Sequence, residues 1–170
     1  MFTLIVAGSA SGKSEYAEKL CCRLDGERVY VATMHPTDKE CLDRICKHRL
    51  RRADMEFVTV EQETNLSSVS LPENANVLVE DLSNLLANEL YAPHGGGAVS
   101  VLEGIRSLHG QSRHLTVVTN EVFSDGCDYD PDTMAYLRAL ANLNRTLAKE
   151  ADNVVEIVCG LANVLKGEGL

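Results

Sequence analysis

Eight residues near the start of the chain, Ala7-Gly8-Ser9-Ala10-Ser11-Gly12-Lys13-Ser14, combine small side chains with a lysine and a hydroxyl in the spacing of a phosphate-binding loop, or P-loop. In such a turn successive backbone N–H groups face phosphate oxygens, and the helix that follows points the positive end of its dipole at the same place. Lys13 is then placed to neutralise β and γ oxygens, and Ser14 to ligate Mg2+. The strict motif asks for glycine where Ala7 stands, and alanine there is strained if the backbone requires φ > 0. A second chemical segment is Val77-Leu78-Val79-Glu80-Asp81, an apolar run ending in two carboxylates. Glu80 is expected to organise magnesium beside the loop. Asp81 is divided between that task and capping a helix that starts near Leu82. The third segment is Lys47-His48-Arg49-Leu50-Arg51-Arg52. A neutral imidazole can attack a phosphorus centre, and the surrounding cations either stabilise triphosphate charge or simply favour the C-terminal end of a helix dipole.

These residues need a frame that brings loop, strand end and helix end together. Apolar, β-branched runs recur at 3–6, 29–32, 77–79, 115–119 and 154–158, with a shorter one at 58–60. Helical stretches are expected at 13–24, 39–49, 82–91, 99–108 and 131–151, the last beginning with Asp130 before Pro131, a cap followed by a first-turn proline. Strands that are continuously apolar suit a sheet covered on both faces. The fold expected is therefore α/β, a P-loop NTPase-like, mostly parallel sheet flanked by helices on both faces. One domain over 1–170 suffices, since 45% hydrophobic residues in 170 provide a core without covalent staples. The run Pro93-His94-Gly95-Gly96-Gly97 reads as a flexible loop between two helices, with a functional lid as the alternative.

A formal net charge of -9 argues against a nucleic-acid partner, which calls for clustered Lys and Arg along a backbone. Six cysteines form no CxxC pair or zinc spacing, and reduced thiols in the cytoplasm are expected. No stretch approaches the roughly 20 apolar residues of a membrane span.

The chain resembles the bifunctional adenosylcobinamide kinase/adenosylcobinamide-phosphate guanylyltransferases of cobalamin biosynthesis. The resemblance rests on Gly8 to Ser14 with Ala17-Glu18, on Tyr30 to Thr33, and on Asp38, Glu40, Arg44-Ile45, His48, Arg52, Thr59 and Glu61. It continues through Glu80, Asn88, Val118 to Val122, Asn144, Ala148, Ala151-Asp152, Gly160 and Leu165-Lys166. It implies a homotrimer and two reactions on one corrinoid: phosphorylation of the aminopropanol hydroxyl of adenosylcobinamide by ATP or GTP, then transfer of GMP from GTP through a histidine to give adenosylcobinamide-GDP. His48 matches that histidine. Ala32, Thr33 and Met34 would line the nucleotide site with Arg49, Leu50, Arg51 and Arg52, and Glu61 would approach the guanine or ribose. A carboxylate accepting two guanine N–H groups would favour GTP, although Glu61 also suits a solvated loop. Asn120 and Glu121, at a strand end, are further candidates.

The chain departs from the family pattern where Ala7 replaces one of paired glycines, Phe123 and Ala141 replace glycines, Tyr136-Leu137-Arg138 replaces Phe-Arg-Asp, and Asn144-Arg145 replaces Asn-Gln. These changes bear on the corrinoid and kinase functions more than on guanylyl transfer. The alternatives are another P-loop kinase or nucleotidyltransferase acting on a different small molecule, or a non-catalytic nucleotide-binding module.

Overall fold

The computed structural model describes residues 1–36, 39–124 and 126–168, with side chains throughout except at 40, 41 and 44. Asp38 of the family resemblance therefore lies outside the described residues, as do the side chains of Glu40 and Arg44. Strands β1 (Phe2–Ala7), β2 (Arg28–Ala32), β3 (Phe57–Glu61), β4 (Asn76–Glu80), β5 (His114–Asn120), β6 (Asn153–Val158) and β7 (Leu161–Lys166) form one sheet in the order β3-β2-β4-β5-β1-β6-β7. Every neighbouring pair is parallel except β6 with β7. Helices α1 (Lys13–Cys22), α2 (Lys39–Arg52), α3 (Leu82–Tyr91), α4 (Gly97–Gln111) and α5 (Pro131–Glu150) connect them.

Side chains of successive strand residues enter two separate cores, because they alternate across the sheet. On one face Leu4, Val31, Val79 and Val117 pack with Leu85 and Leu86 of α3, Ile105 and Leu108 of α4, and Leu140 and Leu147 of α5. On the other, Ile5, Tyr30, Leu78, Val118 and Val155 pack with Ala17, Leu20 and Cys21 of α1. The mostly parallel sheet with helices on both faces is as the apolar runs predict. Asp130 caps α5 as expected, accepting from the backbone N–H groups of Asp132 and Thr133 at 3.0 Å each.

Three local expectations change. Helix α2 runs to Arg52, so His48 lies within it and not near its end. Strand β7 was not anticipated: it returns through a turn in which Cys159 and Gly160 both have positive φ, 51° and 78°, the pattern of a type I′ hairpin. Cysteine in the first position hides that signal, which asparagine or aspartate would have carried. The stretch 93–97 is a packed turn. The buried Glu89 carboxylate accepts from Gly96 N at 2.7 Å, Ser100 Oγ at 2.9 Å and Asn65 N at 2.6 Å, and a Cβ on Gly95 would sit 2.1 Å from the Glu89 carbonyl oxygen. No residue of this turn reaches the cleft described below, so the lid alternative falls. Among the described residues Cys21, Cys22, Cys46 and Cys159 are free thiols, and no helix is long and apolar enough to cross a membrane.

Candidate active site

The carboxyl ends of β2, β3 and β4 are level, with Ala32 opposite Glu61 on one side and opposite Glu80 on the other. Nearby, Ala7 at the end of β1 is opposite Asn120 at the end of β5. Open α/β sheets bind ligands at this edge. Here a cleft of about 760 Å³ lies between the P-loop, these strand ends and α2. Ser9, Ala10, Ser11, Gly12, Lys13, Ser14, Ala32, Met34, His48, Arg49, Arg51, Arg52, Glu61 and Glu80 all reach its wall. Ala7, Gly8, Thr33 and Leu50 do not. Thr33 is buried and ties two strand ends together, its N–H donating to Glu80 O at 3.2 Å and its Oγ1 to Asp81 O at 2.8 Å. Leu50 is 71% exposed.

Strain in the P-loop falls elsewhere than expected. Ala7 is an extended, buried strand residue, whereas Ala10 at φ 54° and Gly12 at φ 90° occupy the left-handed region. It is Ala10, with its Cβ, that carries the cost. Lys13 Nζ donates to Gly8 O at 3.1 Å, folding over the loop. Ser11 Oγ is buried without a hydrogen-bond partner among the described residues, and Gly160 N donates to Ser11 O at 3.0 Å, so the β6–β7 turn braces the loop from behind.

Ser14 Oγ donates to Glu80 Oε1, and the Tyr30 hydroxyl reaches Glu80 Oε2 at 3.3 Å. Burial pushes the Glu80 carboxyl above its ordinary range, opposed by the Ser14 hydrogen bond and reinforced by Asp81. Asp81 is occupied otherwise: it caps α3, accepting from Asn84 N at 2.7 Å and Ser83 Oγ at 2.6 Å. The adjacent carboxylates both line the cleft but have separate partners, Glu80 the hydroxyl of Ser14 and Asp81 the start of α3.

From α2, His48 Nδ1 lies 4.0 Å from Glu80 Oε1 and 3.2 Å from Arg51 Nη2. Arg51 in turn donates from Nε and Nη2 to the Glu18 carboxylate at 2.6 and 2.7 Å. Burial alone would lower the Arg51 pKa, but hydrogen bonds to Glu18 and its charge prevail and raise it. Arg52 stacks 3.4 Å above the Tyr30 ring centroid and approaches Glu18 at 3.6 Å, a cation–π contact within a buried charge pair. Arg49 pairs with Glu61 at the open side of the cleft. The remaining histidines take no part: His35 pairs with Glu63 at 2.7 Å on an exposed loop, and His109 packs on Phe2.

A phosphate cradle, a buried carboxylate at the serine and an imidazole facing both across one cleft are an arrangement for phosphorus chemistry at two positions. Comparison with known proteins agrees. Residues 3–165 match the family model described as cobinamide kinase/cobinamide phosphate guanyltransferase. The chain belongs to this family. Membership makes it an enzyme with the family's two activities, a cobinamide kinase and cobinamide phosphate guanylyltransferase that takes nucleoside triphosphates as substrates. Over 177 aligned residues, covering all of both chains, it is 30% identical to the bifunctional adenosylcobalamin biosynthesis protein CobP of Pseudomonas aeruginosa. Among solved structures it is similar to the flagellar accessory protein FlaH of Methanocaldococcus jannaschii, with TM-score 0.52 and 12% identity over 98% of this chain and 78% of that one. The RadB recombinase gives TM-score 0.52 at 15% identity over 91% and 73%. At such identities these structures speak for the P-loop NTPase fold alone.

Four of the departures from the family pattern, at Phe123, Leu137, Arg138 and Ala141, line one smaller groove of about 240 Å³ that meets the main cleft at Val122. Changes scattered in sequence are thus neighbours in space. Asn120 reaches the main cleft and donates to Asp81 Oδ2 at 3.3 Å, whereas Glu121 is used locally, accepting from Phe123 N and Ser124 Oγ. Tyr30 and Glu18 carry more of the site than sequence reasoning assigned them. The signal at Glu18 was legible: with Ala17, Leu20 and Cys21 it lies on the inward face of α1, where an unpaired carboxylate is costly.

Proposed function

We propose that the chain phosphorylates the aminopropanol hydroxyl of adenosylcobinamide with a nucleoside triphosphate held in the P-loop, and then guanylylates the product through a covalent GMP–His48 intermediate. The observation that carries this reading is the position of His48, on the cleft wall opposite the P-loop and 4.0 Å from the carboxylate that Ser14 contacts. In the transfer, an imidazole nitrogen attacks the α-phosphorus of GTP and pyrophosphate leaves. The phosphate of adenosylcobinamide phosphate then attacks the same phosphorus, displaces the histidine and gives adenosylcobinamide-GDP. Lys13, Arg51 and Arg52 face the cleft with positive charge where the triphosphate would lie, and fixed cations stabilise charge that develops during transfer.

A divalent cation suits the donor set at Ser14 and Glu80. An alcohol and a carboxylate oxygen adjoin at the end of the P-loop, the carboxylate pushed up in pKa by burial. When bound there, Mg2+ supplies charge neutralisation to the triphosphate. Glu61 supports a guanine contact by its place on the cleft wall, in competition with its present partner Arg49. The family resemblance supports a homotrimer, and the free thiols and nucleotide substrates support action in the cytoplasm.

The assay that tests this reading supplies adenosylcobinamide, GTP and Mg2+ together. Adenosylcobinamide phosphate is expected first and adenosylcobinamide-GDP afterwards. Accumulation of the phosphate alone under excess GTP would refute the second half.

A further inference from the structure

Guanidinium is a donor only, so His48 Nδ1 at 3.2 Å from Arg51 Nη2 must offer its lone pair. In the neutral ring the proton then resides on Nε2. That assignment depends on where the plane of the Arg51 guanidinium lies. Glu18 sets it: its two oxygens take the Nε hydrogen and one Nη2 hydrogen at 2.6 and 2.7 Å, which leaves the second Nη2 hydrogen aimed at His48. Glu18 itself is fully buried on α1, the helix that begins in the P-loop. The cradle and the histidine are therefore connected by one chain of side chains, Glu18 to Arg51 to His48.

We propose that Glu18 is a positioning residue for guanylyl transfer, acting through Arg51 to keep His48 in the Nε2–H form, with its Nδ1 lone pair held on Arg51 and that nitrogen 4.0 Å from Glu80 Oε1. This rests on the reading of His48 as the guanylylated residue. In the step so prepared, the Nδ1 pair forms the N–P bond. The bond from the α-phosphorus to its bridging oxygen breaks, and pyrophosphate leaves with that electron pair while the ring proton stays on Nε2. Arg51 gives up its hydrogen bond to Nδ1 as the incoming α-phosphate offers it an oxygen. The ring, still protonated at Nε2 and bonded at Nδ1, is a cation, which makes it a good leaving group when the corrinoid phosphate attacks.

Two variants, Glu18→Gln and Arg51→Lys, test this against the wild type. Glutamine keeps the volume of Glu18 but not its charge, and lysine keeps the charge of Arg51 but not its two-edged donor geometry. Single-turnover guanylylation of His48 is expected to slow by about 10²-fold in each, the cost of a misplaced reacting group, while far-ultraviolet circular dichroism and the melting transition of the same preparations report that they are folded. The double variant is expected to be no worse than the slower single one within about threefold, since both break one chain. Nitrogen NMR of ligand-free protein labelled at histidine should show His48 as the Nε2–H form in wild type and a mixture in either variant. That readout needs no turnover, so it stands apart from whether guanylyl transfer occurs. An Nδ1–H form in the wild type, transfer rates in Glu18→Gln close to wild type, or losses that multiply in the double variant would each overturn the proposal.

Discussion

The P-loop wall of the cleft and the α2 wall are held to the body of the protein in different ways. The P-loop leaves β1 from the middle of the sheet, and the helix behind it buries Ala17, Leu20 and Cys21 against Ile5, Leu78 and Val118. Its thiol at Cys21 is so enclosed that burial raises its pKa to about 12. In α2, by contrast, Arg52 is the one buried side chain among the described residues, and leucines such as Leu42 and Leu50 are exposed. What fastens α2 is charge: Arg51 and Arg52 on Glu18, Arg52 on Tyr30, and Arg49 on Glu61. The phosphate cradle is thus set by packing and the histidine by ion pairs and hydrogen bonds. Packing gives the first wall stability, while the second wall gains orientation.

The contrast can be broken at several points. Leu20→Ala, in α1 behind the P-loop, should cost about 2–5 kcal/mol in chemical denaturation; among the described residues α2 buries no apolar side chain whose truncation would do the same, and a cost near zero would remove the distinction. Lys13→Ala should lower both phosphorylation and guanylyl transfer by about 10²- to 10³-fold, as expected for a fixed cation at developing charge, with little change in melting temperature. A loss confined to one reaction would mean that the two do not share the cradle.

A smaller effect concerns pH. Burial raises the Glu80 pKa above its ordinary value of 4.5, so the folded state takes up this proton at a higher pH than the unfolded chain does. Stability of the ligand-free protein from this group is therefore lost as pH rises from 4.5 through the folded pKa, and gained as pH falls through that window. The difference in unfolding free energy between wild type and Glu80→Gln should accordingly shift in favour of wild type on acidification. A shift in the opposite sense would show that Ser14 and Arg51 outweigh burial. The smallest effect is expected at Arg49→Ala: this pair with Glu61 is solvent-exposed, and its loss should change stability by about 0–1 kcal/mol.

The sequence made the frame legible because its central strands are apolar on both faces and its loop carries a fixed motif. It also placed Lys13, Ser14, Glu80 and His48 in one cleft, since each sits at the end of an expected element or in a basic run. What escaped was contact-dependent. Both Glu80 and Asp81 line the cleft, and what set them apart was contact: Ser14 on Glu80, the α3 cap on Asp81; the worry over Ala7 moved to Ala10 once the turn's dihedrals were known. Leu50 belongs to the basic run in sequence, yet it lies off the cleft wall on the helix. The Glu18–Arg51–His48 chain joins two helices whose relation no periodicity encodes, although a carboxylate on the apolar face of α1 announces that it must find a partner.

The central claim is that His48 carries GMP between GTP and the corrinoid. Incubation of the protein with α-labelled GTP and Mg2+, followed by peptide mass spectrometry, tests it most directly. An acid-labile, base-stable adduct mapped to His48, discharged by adenosylcobinamide phosphate and missing in His48→Ala, is the result expected. Wild-type protein that forms adenosylcobinamide-GDP while no adduct appears, or an adduct that persists in His48→Ala, would contradict it.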